Sequence, residues 1–345
     1  MPPATGMFAT CLPGLGQLVR QQLDDLPGIA PTDDGFDGRA DVVLFDVDRV
    51  ARRSVTTLRT TEDVFVEVGR ADRRNADNCQ QIARMIWRPE QVQRALSIWA
   101  ELKRPLTASM TFRVITRLLS EKAFLRTELR HQLTETIKQH RPRWKVADPA
   151  KLEVWICEYR AGRFISGLRL SDVWMRQHGG RKLERRGAPR PTLAAAMVDL
   201  AGTPGGILLD PCCGSGTILT EASAAGWSAT GTDIDPDAVS IASRNAPSAS
   251  VHVGDARRLD IRSGSVQACA SNLPFGRQYQ IRGNVSAWLS AVLREAARVT
   301  QPGGHIILLG PDIARATRPA SLTLAGKLPV RVLGVQTTIW HYQRR

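Results

Sequence analysis

The chain has no Cys-x-x-Cys pair and no Cys/His group at zinc-finger spacing. Its six cysteines, Cys11, Cys79, Cys157, Cys212, Cys213 and Cys269, are scattered, so a structural zinc site is not expected. Thiols dispersed in this way fit a reducing compartment, and a bridge between neighbouring Cys212 and Cys213 would need a strained ring. The six histidines are equally scattered, and no metal is assigned. No stretch approaches the ~20 consecutive apolar residues of a membrane span. The opening MPPATGMFAT has neither the basic nor the apolar region of a signal peptide, and a cytoplasmic location is expected. Low-complexity tracts and short internal repeats are absent too. Acidic residues are in deficit, 33 against 47 Lys and Arg, for a net charge of +14 and an isoelectric point near 10.3. Such an imbalance calls for a polyanionic partner, nucleic acid first.

What is present is the composition of a soluble globular protein, with 43% apolar and 23% charged residues over 345 positions, enough for two or three domains with cores of their own. From about Gly205, short apolar runs (GILLD, SATGTDID, SVHVGD, VQACASN, HIILLG) alternate with helical patterns, which predicts a parallel, doubly wound sheet. The ending VRVLGVQTTIWHYQ reads as two extended runs with a short break and predicts an antiparallel hairpin at one sheet edge. The first ~175 residues mix strand patterns with helical ones and read as α+β. Within them Leu125, Leu129, Leu133 and Ile137 recur every fourth residue and predict a buried helical stripe. Lys122, Arg126, Arg130 and Lys138 share another face, diluted by Glu121, Glu128 and Glu135. Met175 to Pro191 carries six Arg or Lys against the single Glu184 with no apolar period, and reads as a basic linker suited both to spacing domains and to phosphate contacts.

Candidate chemistry begins at LLDPCCGSGTILTEA. Asp210 ends an apolar strand and two glycines follow, but Leu219 stands where a dinucleotide fingerprint needs its third glycine. The triphosphate loop G-x-x-x-x-G-K-[ST] is missing, and an acid opening the loop would repel phosphate. A ligand with a cationic or hydroxylic end suits this site better, and S-adenosylmethionine is such a ligand. Asp233, 23 residues after Asp210, ends the next strand, where a carboxylate can accept ribose hydroxyls. Asp255 ends the third and is placed to meet an exocyclic amine. Each acid alone could be a helix cap; three at successive strand ends favour the cofactor.

The fourth strand runs into Ser271-Asn272-Leu273-Pro274-Phe275-Gly276. An amide, a proline and an aromatic ring could form only a turn. At a strand end beside a methyl donor they do more. An exocyclic amine on a base is a poor nucleophile, and acceptors that hold its N–H groups as nitrogen becomes tetrahedral assist it. The Asn272 side-chain oxygen and the Leu273 carbonyl are the candidates. Pro274 stiffens the turn, and Phe275 would stack on the base.

Here the chain resembles a known family. DPCCGSGTILTEA is close to the cofactor motif, and SNLPFG to the [DN]-x-P-[FY]-G motif, of THUMP-domain RNA guanine-N2 methyltransferases. RPTLAAAM (190–197) is similar to the segment leading into their catalytic domain, MFATCLPGLGQLV to their opening element, and TLRTTEDVFVEV to the segment joining it to the THUMP domain. The region 112–170 resembles the THUMP domain itself. The resemblance implies a Rossmann-fold methyltransferase preceded by an α+β half: a ferredoxin-like domain over 1–65, a THUMP RNA-binding domain over 66–174, a basic linker over 175–190 and the methyltransferase domain over 191–345. It implies S-adenosylmethionine as cofactor and structured RNA as partner, with methylation of guanosine N2, at position 6 of tRNA in the group whose motifs are shared most. Carried over position by position, it puts the cofactor against Thr192, Asp210, Cys212, Gly214, Gly216, Thr217, Asp233, Ile234, Asp255, Ala256 and Asn272; the basic helix face and the basic linker offer Lys122, Arg126, Arg130, Arg181, Lys182, Arg185 and Arg186 to RNA. A monomer is expected. The chain departs from the pattern at Cys212, where Phe is usual, and at Leu273, where many members have Pro. Methylation of rRNA, a DNA base or a protein glutamine, which present similar planar amines, and a catalytically silent RNA-binding protein are the competing readings.

Overall fold

A computed structural model describes residues 5–36, 41–72, 78–119, 124–178, 183–274, 283–311, 313–332 and 334–345. The chain divides into two compact units, Met1–Arg176 and Gln177–Arg345.

In the first unit the elements are β1 (Thr5–Cys11), α1 (Gly16–Asp24), β2 (Ile29–Gly35), β3 (Asp41–Val47), β4 (Asp63–Asp72), α2 (Cys79–Ile86), α3 (Pro89–Leu102), β5 (Thr111–Arg117), α4 (Arg126–His140), β6 (Lys145–Val146), β7 (Leu152–Arg160) and β8 (Arg163–Arg169). All eight strands form one sheet in the order β2-β3-β1-β4-β8-β7-β5-β6. The boundary expected between residues 65 and 66 falls inside β4, which pairs with β1 on one side and β8 on the other. The two expected N-terminal domains thus share a continuous sheet. Buried Arg169 on β8 fastens this junction, meeting Asp63 of β4 at 2.7 Å and Glu153 of β7 at 2.6 Å. Helix boundaries follow local chemistry: the Asn78 side chain accepts the Gln81 N–H at the start of α2, and Pro89 opens α3.

Leu129, Leu133 and Ile137 of α4 are buried as their spacing predicts, but Leu125 is 66% exposed. This corrects the expected stripe at its first position. Leu125 is the extended residue before the helix, so its side chain leaves the helical face on which the other three lie.

A short helix, α5 (Val173–Gln177), ends on the first residue of the second unit, whose further elements are α6 (Pro191–Leu200), β9 (Ile207–Asp210), α7 (Thr217–Ala224), β10 (Ser228–Asp233), α8 (Pro236–Asn245), β11 (Ser250–Val253), β12 (Val266–Asn272), α9 (Val285–Val299), β13 (Thr300–Leu309), β14 (Leu322–Val332) and β15 (Val335–Arg344). Their sheet runs β11-β10-β9-β12-β13-β15-β14. The first five are parallel, whereas β15 is antiparallel to both β13 and β14. The doubly wound sheet with a C-terminal antiparallel hairpin is the architecture the alternating pattern predicts. Apolar runs such as Leu208-Leu209 are fully buried, as strands covered on both faces require. Strand order reverses between β9 and β12, and at such a switch point the connections leave in opposite directions and open a crevice at the carboxyl ends.

Candidate active site

The crevice is there. A cavity of about 660 Å³ lies beyond the carboxyl ends of β9, β10 and β12, and all of its lining comes from the second unit. Asp210 ends β9 and is buried, its Oδ1 accepting the Ser271 hydroxyl at 2.7 Å and the Cys212 N–H at 3.1 Å. Burial pushes its carboxyl up to about 7, the nearby Asp233 charge adding to the rise while the two hydrogen bonds oppose it. Asp233 ends β10, where its Oδ2 accepts the Gly214 N–H at 2.9 Å and its Oδ1 the Asp235 N–H at 3.0 Å. The cap of α8 is Asp235, whose side chain accepts the Asp237 N–H. Asp255 follows β11 by two residues and lines the cavity, but both of its carboxylate oxygens are held by Arg257, which also keeps its carboxyl below the usual range.

The glycines divide the loop's work. Gly214 has φ +53°, and a Cβ there would meet nothing within 4 Å, because the residue faces the cavity. Gly216 has φ +80°, and a Cβ there would come within 3.1 Å of the Ala242 backbone, so α7 packs against α8 only through a glycine. Ile234 is 67% exposed at the cavity edge, an apolar surface just past the Asp233 carboxylate. Ala256, Cys212 and Thr217 also line the cavity. Thr192 does not: it lies buried in the first turn of α6. Cys212, where the resemblance led to an expectation of Phe, packs against the core formed by α9 and β13. Its thiol is pushed well up by burial and by the neighbouring Asp210 and Asp233 charges, and therefore stays protonated.

At the end of β12, the Asn272 amide donates through Nδ2 to the Gly187 carbonyl at 3.0 Å. Its Oδ1 is buried and has no hydrogen-bond partner among the described residues. Leu273 is buried, its N–H donating to the Leu309 carbonyl at 3.1 Å, and Pro274 lines the cavity. Phe275, Lys122, Arg181 and Lys182 lie outside the described residues. Arg126 and Arg130 are exposed on α4, in the first unit. Arg185 is ion-paired to Asp235 at 2.5 Å, while Arg186 is exposed and lines the cavity.

Three features escape a reading by motif. The described part of the expected linker is a strap over the site. Asn245, the last residue of α8, accepts the Leu183 N–H and donates to the carbonyls of Leu183 and Ser215; Arg185 reaches the opposite end of α8; and Gly187 meets Asn272. Nothing local marks Asn245, whose partner lies 62 residues away. The Ser271 hydroxyl that holds Asp210 opens the SNLPFG stretch, but its partner lies 61 residues away and a serine carries no local signal of it. The wall opposite the acids, from Trp288 of α9, Leu309 of β13 and the hairpin residues Val332, Val335 and Thr337, depends on distant strand pairing.

A doubly wound sheet with a switch-point crevice, a glycine loop after its first strand and a C-terminal antiparallel hairpin gives the second unit the Rossmann-like fold of methyltransferase domains. Residues 178–323 match the family described as UPF0020, RMKL-like methyltransferase domain. Over 130 residues the chain is 34% identical to a U6 snRNA (guanine-N(2))-methyltransferase THUMPD2 of Bos taurus, covering 35% of this chain and 25% of the relative. Over 145 residues it is 32% identical to a tRNA (guanine(6)-N(2))-methyltransferase THUMP3 of Bos taurus, covering 36% and 28%. The matched stretch thus spans about a quarter of these relatives' length. TrmN from Thermus thermophilus superposes over 99% of this chain and 100% of its own with a TM-score of 0.77 at 22% identity, so the likeness of fold takes in both units. The resemblance drawn from the motifs is found again in these relatives. Among the described residues no helix is long and apolar enough to cross a membrane, and no group of His, Cys, Asp or Glu is placed to hold a metal ion.

Proposed function

We propose that the protein is an S-adenosylmethionine-dependent methyltransferase acting on the exocyclic N2 amine of a guanosine in structured RNA, with tRNA position 6 as the favoured target. The observation that carries this reading is Asn272 Oδ1, a buried acceptor with no hydrogen-bond partner among the described residues, on a residue lining the cavity that Asp210, Asp233 and Asp255 also line. A buried acceptor left empty costs stability unless a ligand's N–H completes it. The relatives named for guanine-N2 methylation support the choice of amine.

The residues present fit the cofactor. In this reading Asp233, at the end of β10, would accept ribose hydroxyls, exposed Ile234 would offer a face to an adenine ring, and the open space at Gly214 would allow close approach. When bound, S-adenosylmethionine would supply an electrophilic methyl group. Asn272 then accepts an N–H from the amine, and the hydrogen bond strengthens as nitrogen takes on positive charge during attack. The Leu273 carbonyl is the second candidate acceptor, and Pro274 holds the turn. The methylated amine is acidic enough to lose its proton to water, and no general base is needed. In this reading the first unit is a ferredoxin-like and THUMP module that grips RNA, Arg126, Arg130 and Arg186 together with Lys122, Arg181 and Lys182 meet phosphates, Phe275 stacks on the base, and the protein works as a cytoplasmic monomer.

The test is to incubate the protein with labelled S-adenosylmethionine and total RNA, digest the labelled RNA and identify the nucleoside and its position. N2-methylguanosine in tRNA is the expected product. Label in protein or DNA alone, or in another nucleoside, would overturn the reading.

A further inference from the structure

Two buried polar side-chain atoms in the cavity wall have no hydrogen-bond partner among the described residues: Asn272 Oδ1 and Thr337 Oγ1. The first belongs to the proposed chemistry. The second is unexplained by it. Thr337 is 2% exposed on β15, near the hairpin tip, where its backbone pairs with Val330 of β14. Its neighbours in the wall, Leu309, Val332 and Val335, are apolar. A valine would fill the same space without burying an unsatisfied hydroxyl, so this position carries a cost that packing does not repay.

Strand order says which ligand faces it. The acids belong to β9, β10 and the loop after β11, on one side of β12; β15 lies on the other, two strands beyond Asn272. At about 4.8 Å per strand, that is roughly 10 Å. Thr337 therefore lines the cavity on the far side of β12 from the acids. A base flipped into the crevice keeps its sugar at the mouth and leads with the edge opposite the glycosidic bond. For guanine, the leading edge next to the N2 amine carries N1–H and O6. A hydroxyl both donates and accepts, and can meet either group.

We infer that Thr337 is a specificity-determining residue whose hydroxyl reads the N1–H/O6 edge of the target guanine while Asn272 holds its amine. The inference rests on the guanine-N2 reading above. It makes the hairpin that closes the sheet part of the target pocket.

The experiment compares wild type with Thr337→Val and Thr337→Ser on an unmodified tRNA transcript and on the same transcript carrying 2-aminopurine at the methylated position. That base keeps the 2-amine but lacks O6 and the N1 proton. Wild type should prefer guanine. Thr337→Val should lower kcat/KM on guanine by about 10-fold or more, with S-adenosylmethionine affinity unchanged, and the preference for guanine over 2-aminopurine should shrink by a similar factor. Thr337→Ser should retain most of both. Thermal melting of Thr337→Val should equal or exceed that of wild type, since an unpaired hydroxyl is removed; a structural role predicts the reverse. An unchanged guanine preference in an active Thr337→Val enzyme, or equal losses on both bases, overturns the inference and leaves the guanine-N2 reading standing. Absence of guanosine methylation by wild type overturns both.

Discussion

Asp210 shows how much a single side chain can carry. Its folded carboxyl titrates at about 7, against about 3.9 in an unfolded chain. Between those values the native state holds a proton that the unfolded state has lost, so this group's contribution to stability is full below pH ~4 and is lost as pH rises toward 7. Asp210→Asn keeps an acceptor for Ser271 and Cys212 but cannot ionise. Its melting temperature should match wild type at pH 4, rise above it through neutrality and level off beyond; an offset that stays constant from pH 5 to pH 8 would contradict the assignment. Asn272 is tested through turnover. Asn272→Ala removes the acceptor and should slow single-turnover methylation by roughly 10²-fold, with RNA affinity little changed. Asn272→Asp keeps an acceptor and should retain far more activity; equal rates in wild type and Asn272→Ala would mean that the chemistry lies elsewhere. Both residues were legible in the sequence because a strand end followed by a polar residue is a local signal. Thr337 was not, since its environment comes from β14 and from the end of β13.

At the scale of elements, the loop after β9 and α7 turn on two glycines that look alike in sequence and differ in space. Gly216→Ala forces a Cβ against the Ala242 backbone at 3.1 Å as well as a strained φ, so it should destabilise the domain by ~1–3 kcal/mol and separate α7 from α8. Gly214→Ala meets no atom within 4 Å, so its cost is the left-handed backbone alone, ~1–2 kcal/mol. The added methyl points into the cavity, and loss of cofactor binding should exceed loss of stability. Chemical denaturation together with calorimetry separates the two, and equal behaviour of the variants would show that the loop is uniform. Elements announced by short-range pattern were read correctly: the βα alternation, the buried stripe of α4 beyond its first residue, and the C-terminal hairpin. The strap was not. Its hydrogen bonds join Leu183 to Asn245 and Gly187 to Asn272 through main-chain atoms, which carry no side-chain signature. Basic composition pointed to a linker and concealed a lid-like segment fastened to α8.

For the whole molecule, charge and fold divide differently. The first unit holds 28 Lys and Arg against 22 Asp and Glu, and the second 19 against 11, so the excess positive charge is shared rather than confined to the N-terminal half. The sequence placed a domain boundary inside β4 because a strand shared by two substructures has no break in its pattern; only pairing with β1 and β8 reveals its double duty. The break after Arg176 is of another kind, because the second unit owns a complete seven-stranded sheet and the whole lining of the cavity. A fragment of residues 177–345 should therefore fold cooperatively and bind S-adenosylmethionine with nearly the affinity of the full chain. Its RNA binding should be weaker, with a shallower slope of log K against log salt, since that slope counts the phosphates neutralised. It should not vanish, because more than half of the excess charge remains. Titrations of tRNA at several salt concentrations, with the fragment and the full chain side by side, give both slopes directly. Identical slopes would remove RNA gripping from the first unit, and a fragment that binds cofactor yet shows no RNA affinity at low salt would assign all of it there.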